Sequence, residues 1–190
     1  MSKQKINTEM IIRASADQAN QFGLENLSLK SIAETLNIKS PSLYNHISSL
    51  EELKSLLMLY GWTQMEKQMV DSVIGVSSYE ALKNMCEAFY HYATTNKGVF
   101  DAMLWYNKYD SEEKNNATSK LFQIVFKILK PLHISEAYIN HIIRTLRSFL
   151  EGYSLLVNNQ AFGNPISIKE SFDVSLNIII NGIKSLEGVN

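Results

Sequence analysis

Apolar residues recur along this chain mostly three and four positions apart, the spacing of one α-helix face, and only three prolines and eight glycines interrupt them. The first stretch predicts a helix over residues 8–22, with Ile12, Ala16 and Ala19 on one stripe and Gly23 ending it. Ser28 is placed to cap a second helix, in which Leu29, Ile32, Ala33 and Leu36 form one face. Asn37 then tolerates the left-handed backbone that ends a helix tightly. Ser40 caps a third helix with Pro41 at its first position, where a missing N–H costs nothing. That helix is short, residues 41–47, and needs only Leu43 and Ile47 to face inward.

Ser49-Leu50-Glu51-Glu52 reads as a capping box opening a long fourth helix, with Leu53, Leu56, Leu57 and Tyr60 on its buried side. Ser77-Ser78-Tyr79-Glu80 is a second box, starting a helix that carries Leu82, Met85, Phe89 and Ala93. Further helices are expected over residues 112–130, stopped by Pro131, and from Ser135 through Leu156. Gly163 and Pro165 mark a loop, and Ser167 begins the last helix, which runs to about Leu186. There is no internal repeat and no low-complexity tract. The fold class is all-α, with an N-terminal three-helix domain at residues 1–49 and a larger helical domain at 50–190.

With 45% hydrophobic and 19% charged residues, the chain can bury a sizeable core. No run approaches the roughly 18 unbroken apolar residues of a membrane helix. Met1-Ser2-Lys3-Gln4-Lys5 leads into polar sequence, so a cytoplasmic location is expected. Cys86 is the single cysteine and is expected to be an inert core thiol. The net charge is −1, and Lys3, Lys5, Arg13, Lys30 and Lys39 exceed the acids of the first fifty residues by only one. Charge alone therefore gives no support for a nucleic-acid partner.

Organisation gives that support. Two short helices joined by a tight turn at Asn37-Ile38-Lys39 make a helix-turn-helix, whose second helix lies in the major groove. Ile32, Leu36, Ile38, Leu43 and Ile47 fill the inward positions. The outward ones hold Ser40, Ser42, Tyr44, Asn45 and His46, all hydrogen-bonding groups. Asn pairs well with adenine, and Ser and Tyr hydroxyls suit phosphate oxygens. A polar face on a short helix is equally compatible with plain solvation.

Ile11 to Ala16, Gly23 to Leu29, Ile32-Ala33 and Leu36 resemble the N-terminal domain of TetR-family regulators. Ser40-Pro41-Ser42-Leu43-Tyr44-Asn45-His46-Ile47 is similar to that family's recognition helix, and the match covers roughly residues 6–60. The resemblance implies DNA-backbone contacts at Ser28 and Lys30 and groove-facing or base-reading roles for Lys39, Ser40, Pro41, Ser42 and Asn45. It implies phosphate contacts for Tyr44 and His46. Asn37 replaces the usual glycine, and Leu50 stands where many members place a phosphate-binding lysine. Backbone N–H groups at that helix start still offer an anion site.

The resemblance also implies a C-terminal part that binds a small effector and dimerises. Phe149-Leu150-Glu151-Gly152-Tyr153, Phe162-Gly163 and Glu170-Ser171-Phe172 are similar to one C-terminal subtype of the family. From the residues alone, the last two long helices are apolar on more than one side. That predicts a homodimer through Phe149, Tyr153, Phe172, Leu176, Ile179 and Ile183 in a four-helix bundle, unless these helices are simply central in one chain. Met58, Trp62, Met65, Met85, Phe89, Tyr92, Trp105, Phe122 and Phe126 make the middle of the chain rich in thioether and aromatic surface. They are candidates for an apolar effector pocket, although any one of them also suits an ordinary core.

An enzyme is not expected. His46, His91, His133 and His141 are scattered, with no zinc-binding spacing, phosphate loop or nucleophile elbow. Asp110, Glu112 and Glu113 read as a solvated connection. No cofactor, metal or catalytic group is expected. The partners implied are duplex DNA, a second copy and a small apolar effector, without a membrane. The function read from these features is a sequence-specific transcriptional regulator, a ligand-released repressor acting on a near-palindromic operator. A helical interaction module that keeps the fold without binding DNA is the rival reading.

Overall fold

The computed structural model describes residues 6–104 and 112–188, and of 112–118 the helical backbone alone. Eight α-helices follow one another among them: α1 (Thr8–Phe22), α2 (Leu29–Thr35), α3 (Leu50–Ser72), α4 (Ser78–Thr95), α5 (Lys97–Met103), α6 (Glu112–Leu129), α7 (Glu136–Asn158) and α8 (Ile168–Lys184). No strand occurs among the described residues. By compactness the chain divides into two units, residues 1–64 with 95–115, and residues 65–94 with 116–190. The division thus falls inside α3, whereas the functional boundary read from sequence lies at 49/50.

In the first unit α1 starts where Asn7 Oδ1 accepts from Met10 N at 2.9 Å and ends at Gly23, whose φ of +90° reverses the chain. Its buried face is Ile11 with Ala14, Ser15, Ala16 and Ala19, the last four small enough to let a neighbour approach closely. The neighbour is α5, a seven-residue helix that the hydrophobic pattern does not predict. Asn20 holds it by accepting from Val99 N at 3.1 Å and donating to Asn96 Oδ1 at 3.2 Å. A helix this short has little stability of its own, so docking is what maintains it.

In the second unit α4 turns Ala81, Leu82, Met85, Cys86, Phe89, Tyr92 and Ala93 inward. α7 contributes Ile139, Ile142, Leu146 and Leu150, and α8 contributes Phe172, Leu176, Ile180 and Ile183. Phe172 stacks on Tyr90 with centroids 4.1 Å apart and lies 5.5 Å from Phe149 and 5.4 Å from Tyr153. Burial pushes the Cys86 thiol up to about 12, so it stays protonated and unreactive, as the sequence suggests. α6 stops at Leu129, and Pro131 follows in a 3₁₀ turn, Lys130–Leu132.

Candidate nucleic-acid interface

The geometry of the reading unit begins with how α2 is held. Ser28 caps it, its Oγ accepting from Ser31 N at 3.2 Å. Gln18 on α1 clamps its outer side, donating to Thr35 Oγ1 and accepting from Ser31 Oγ, both at 2.7 Å. At the far end Asn37 takes a φ of +52°. Asn37 N donates to Glu34 O at 3.0 Å and Ile38 N to Ala33 O at 2.9 Å, the bond pair of a Schellman turn. The left-handed tolerance of asparagine thus does here what glycine does in other helix ends.

The next element departs from expectation. Residues Ser40–Asn45 form a 3₁₀ helix rather than an α-helix, with no side-chain cap from Ser40. Ser42 N donates to Lys39 O at 2.8 Å and His46 N to Leu43 O at 2.9 Å, both three residues back. Six residues make too few i→i−4 bonds to favour the α form. The facing is nevertheless the expected one. Leu43 and Ile47 are buried with Ile32, while Lys39, Pro41, Ser42, Tyr44 and Asn45 are exposed, Tyr44 by 58%. Ser40, His46 and Ser28 are half-buried, and Lys30 is exposed. All nine predicted DNA contacts therefore belong to one unit, and none is buried.

The start of α3 carries a modified capping box. Ser49 Oγ accepts from Glu52 N at 3.0 Å, but the Glu52 carboxylate reaches back to the backbone N–H and hydroxyl of Ser48. The Ser48 hydroxyl, and then its N–H, hold that carboxyl below its usual range. Arg13 is engaged with Glu9 at 2.7 Å. Lys30 and Lys39 are in no ion pair among the described residues.

The same unit carries a partly buried acid on α5, Asp101. Burial, and then the nearby carboxylate of Glu25, push the Asp101 carboxyl up from its ordinary range. A raised folded-state value means the native chain binds more protons than the unfolded one, so this group's penalty is absent in acid and sets in as pH rises through that value. Asp101→Asn is expected to raise the melting temperature at pH 7 and to lose the advantage below about pH 4. Thermal melts at the two pH values check it, and equal shifts at both would count against it.

Of the candidate pocket residues, Met58 and Trp62 are buried in the first unit, and Met65, Met85, Phe89 and Tyr92 in the second. Phe126 is half-buried under the Lys130 ammonium, 5.6 Å from its ring, and Phe122 is 41% exposed. On α6 the stripe Leu121, Val125 and Leu129 turns inward and leaves Phe122 on the flank. Trp105 and Asp110 lie outside the described residues, as do the side chains of Glu112 and Glu113. Of the candidate dimer residues, Phe172, Leu176 and Ile183 are buried within the single chain, and Phe149, Tyr153 and Ile179 are half-buried. The apolar side chains that α7 and α8 expose are instead Leu156, Ile168, Val174 and Ile178. Periodicity identified α8 as apolar on two sides but could not say which side its own unit would take.

Sequence reasoning missed Gln18 and Asn20, the two α1 amides that hold α2 and α5. Their only signal was a polar residue recurring beside an otherwise small, apolar helix face.

An all-helical chain with a helix-turn-helix near its N-terminus defines the class of helical transcription regulators. Residues 82–179 match the family model described as the tetracycline repressor-like C-terminal domain. The chain is 30% identical over 179 residues, 94% of its length and 93% of the relative's, to the HTH-type transcriptional regulator YobS of Bacillus subtilis (strain 168). It therefore belongs to the TetR family of transcriptional regulators. Solved structures share the fold: a TetR variant from Acinetobacter baumannii AYE in complex with minocycline has a TM-score of 0.75 at 16% identity, covering 97% of this chain and 99% of that one. The TetR regulator SCO7222 of Streptomyces coelicolor has a TM-score of 0.74 at 13% identity, covering 96% and 100%. Among the described residues no helix is long and apolar enough to cross a membrane.

Proposed function

We propose that this regulator binds duplex DNA as a homodimer, each copy laying Ser40–Asn45 in a major groove, and is released by a small effector. The observation that carries the reading is the division of that segment. Leu43 and Ile47 anchor it in the unit, while Pro41, Ser42, Tyr44 and Asn45 stand exposed beside Lys39. Asn45 offers the donor–acceptor pair that reads adenine, and Tyr44, His46, Ser28 and Lys30 offer phosphate contacts. In a selection from random duplexes, the recovered site is expected to be a near-palindrome with half-sites about 34 Å apart. Asn45→Ala should lose about 1–3 kcal/mol and relax one base position per half-site, whereas Lys30→Ala should weaken all sequences alike and flatten the salt dependence. Recovery of no preferred duplex would return the chain to the rival reading, a helical module that does not bind DNA.

Dimerisation is supported by α7 and α8. They expose Val174 and Ile178, the latter by 67%, and flank a groove of about 280 Å³ lined by Ile142, Thr145, Ile179 and Gly182. Apolar knobs beside an apolar groove fit a second copy of the same surface. Val174→Glu with Ile178→Glu is expected to give folded monomers in sedimentation at micromolar concentration, and a monomeric parent protein would refute the interface.

The effector reading is supported by the buried Met and aromatic residues and by Trp62, whose indole N–H is buried with no acceptor. α3 is one helix from Leu50 to Ser72, carrying Leu53 in the first unit and Met65 in the second. A ligand acts through it only by preferring one arrangement of the two reading heads. A preference worth about 1–3 kcal/mol changes operator affinity roughly 5- to 150-fold.

A further inference from the structure

α7 carries a polar stripe that none of the readings above uses. Arg147, Glu151, Ser154 and Asn158 follow at spacings of four, three and four residues and so share one side of the helix. The stripe runs from outside to inside. Arg147 Nε donates to Glu151 Oε1 at 2.7 Å, with the side chains 41% and 20% exposed, so those two charges answer each other. Ser154, one turn on, is fully buried, and its Oγ has no hydrogen-bond partner. Asn158 Nδ2 donates to the Ala93 carbonyl near the C-terminal end of α4 at 3.1 Å. That bond sets the orientation of the amide, and its Oδ1 is left buried and unpartnered.

Several other helical hydroxyls in the molecule fold back onto the preceding turn. Ser15 donates to Ile11 O at 2.7 Å, Thr63 to Leu59 O at 2.9 Å and Thr145 to His141 O at 3.0 Å. Ser154 does not, although nothing else among the described residues satisfies it. Two buried polar atoms one turn apart thus have no protein partner among the described residues, and native interiors seldom leave such groups without one.

We propose that Ser154 and Asn158 form the polar end of a binding site for an uncharged small molecule with an N–H donor beside an oxygen acceptor, a carboxamide being the simplest. The proposal rests on the effector reading and supplies its chemistry. Asn158 Oδ1 accepts from the ligand's N–H, and the Ser154 hydroxyl donates to its carbonyl oxygen. The ligand is uncharged because Ser154 and Asn158 offer no net charge, and a buried ion without a counter-charge is strongly disfavoured. The bond from Asn158 ties this end to α4, the helix that brings Met85, Phe89 and Tyr92 into the core as apolar surface for the ligand body.

The test uses the full chain and three probes of nearly the same shape: benzamide, acetophenone and benzoate. Benzamide is expected to bind about fivefold tighter than acetophenone, which lacks the donor, and benzoate weakest. Ser154→Ala should weaken benzamide and acetophenone alike, by about fivefold, the effect of one buried neutral hydrogen bond. The same change should leave the melting temperature of the free protein unchanged or raised, because it deletes an unpaired hydroxyl. Asn158→Leu should erase the preference for benzamide over acetophenone; if it fails to fold through loss of the Ala93 bond, Ser154→Ala decides alone. Destabilisation of the free protein by Ser154→Ala, absence of benzamide binding, or equal affinity for the three probes overturns the proposal. If another compound releases the operator equally well from the parent and from Ser154→Ala, this site falls and the effector reading stands. If benzamide discriminates as expected but no compound releases the operator, the site stands and the effector reading falls.

Discussion

Gly98→Ala is expected to destabilise the first unit and to abolish tight operator binding with it. Gly98 lies on α5, and a Cβ added there would overlap the carbonyl carbon and oxygen of Ala19 and come within 2.8 Å of Asn20 N. These are backbone atoms in the last turn of α1, so no rotamer change relieves the overlap, and the two helices must separate. Separation also stretches the bonds from Asn20 to Val99 N and Asn96. Helix propensity predicts the opposite sign, since alanine is favoured over glycine by up to about 1 kcal/mol. The contact should win, because overpacking a close approach costs about 1–3 kcal/mol or more and here undocks a helix that cannot persist alone. Gly152→Ala is the control, as a Cβ there meets nothing within 4 Å, and it should be neutral or stabilising in the same thermal melt. A stabilised Gly98→Ala protein would mean that α5 does not pack on α1 as described.

Phe172→Ala should cost about 3–5 kcal/mol in urea denaturation, a large share of the roughly 5–15 kcal/mol that holds a domain. The ring is fully buried, stacked on Tyr90 and flanked by Phe149 and Tyr153, so its removal leaves a cavity bounded by other aromatics. The loss belongs to the single chain, because Phe172 faces its own unit. It should therefore accompany unfolding of the second unit, whereas the paired change at Val174 and Ile178 should alter assembly and leave the chain folded. Unchanged stability with altered assembly in Phe172→Ala would place the ring at an interface instead.

How much of this was legible in the sequence varied with the range of the forces involved. α1 was predicted to its bounds because Gly23 and the small-residue stripe act locally. The caps at Ser28, Ser49, Ser135 and Ser167 were likewise readable, since a hydroxyl and an N–H three residues on are neighbours in any chain that starts a helix there. The left-handed Asn37 and the inward Leu43 and Ile47 follow from the same local rules. With the resemblance to the TetR family, these were enough to delimit the candidate reading segment and its exposed side chains.

Tertiary structure decided what local rules leave degenerate. α5 has no readable period and exists because Gly98 and Asn20 let it dock on α1, a contact between residues far apart in sequence. α8 is apolar on two sides, and only packing chose Phe172, Leu176, Ile180 and Ile183 for the interior and left Val174 and Ile178 outside. Six residues at Ser40–Asn45 could close either α or 3₁₀ bonds, and in the folded chain they close the tighter ones. Nor could any periodicity announce that Ser154 and Asn158 would be buried without partners, because satisfaction of a hydrogen bond depends on what arrives from elsewhere in the chain. Short-range geometry is written in the order of residues; the choice between equally apolar faces and the pairing of distant polar groups belongs to the packed molecule.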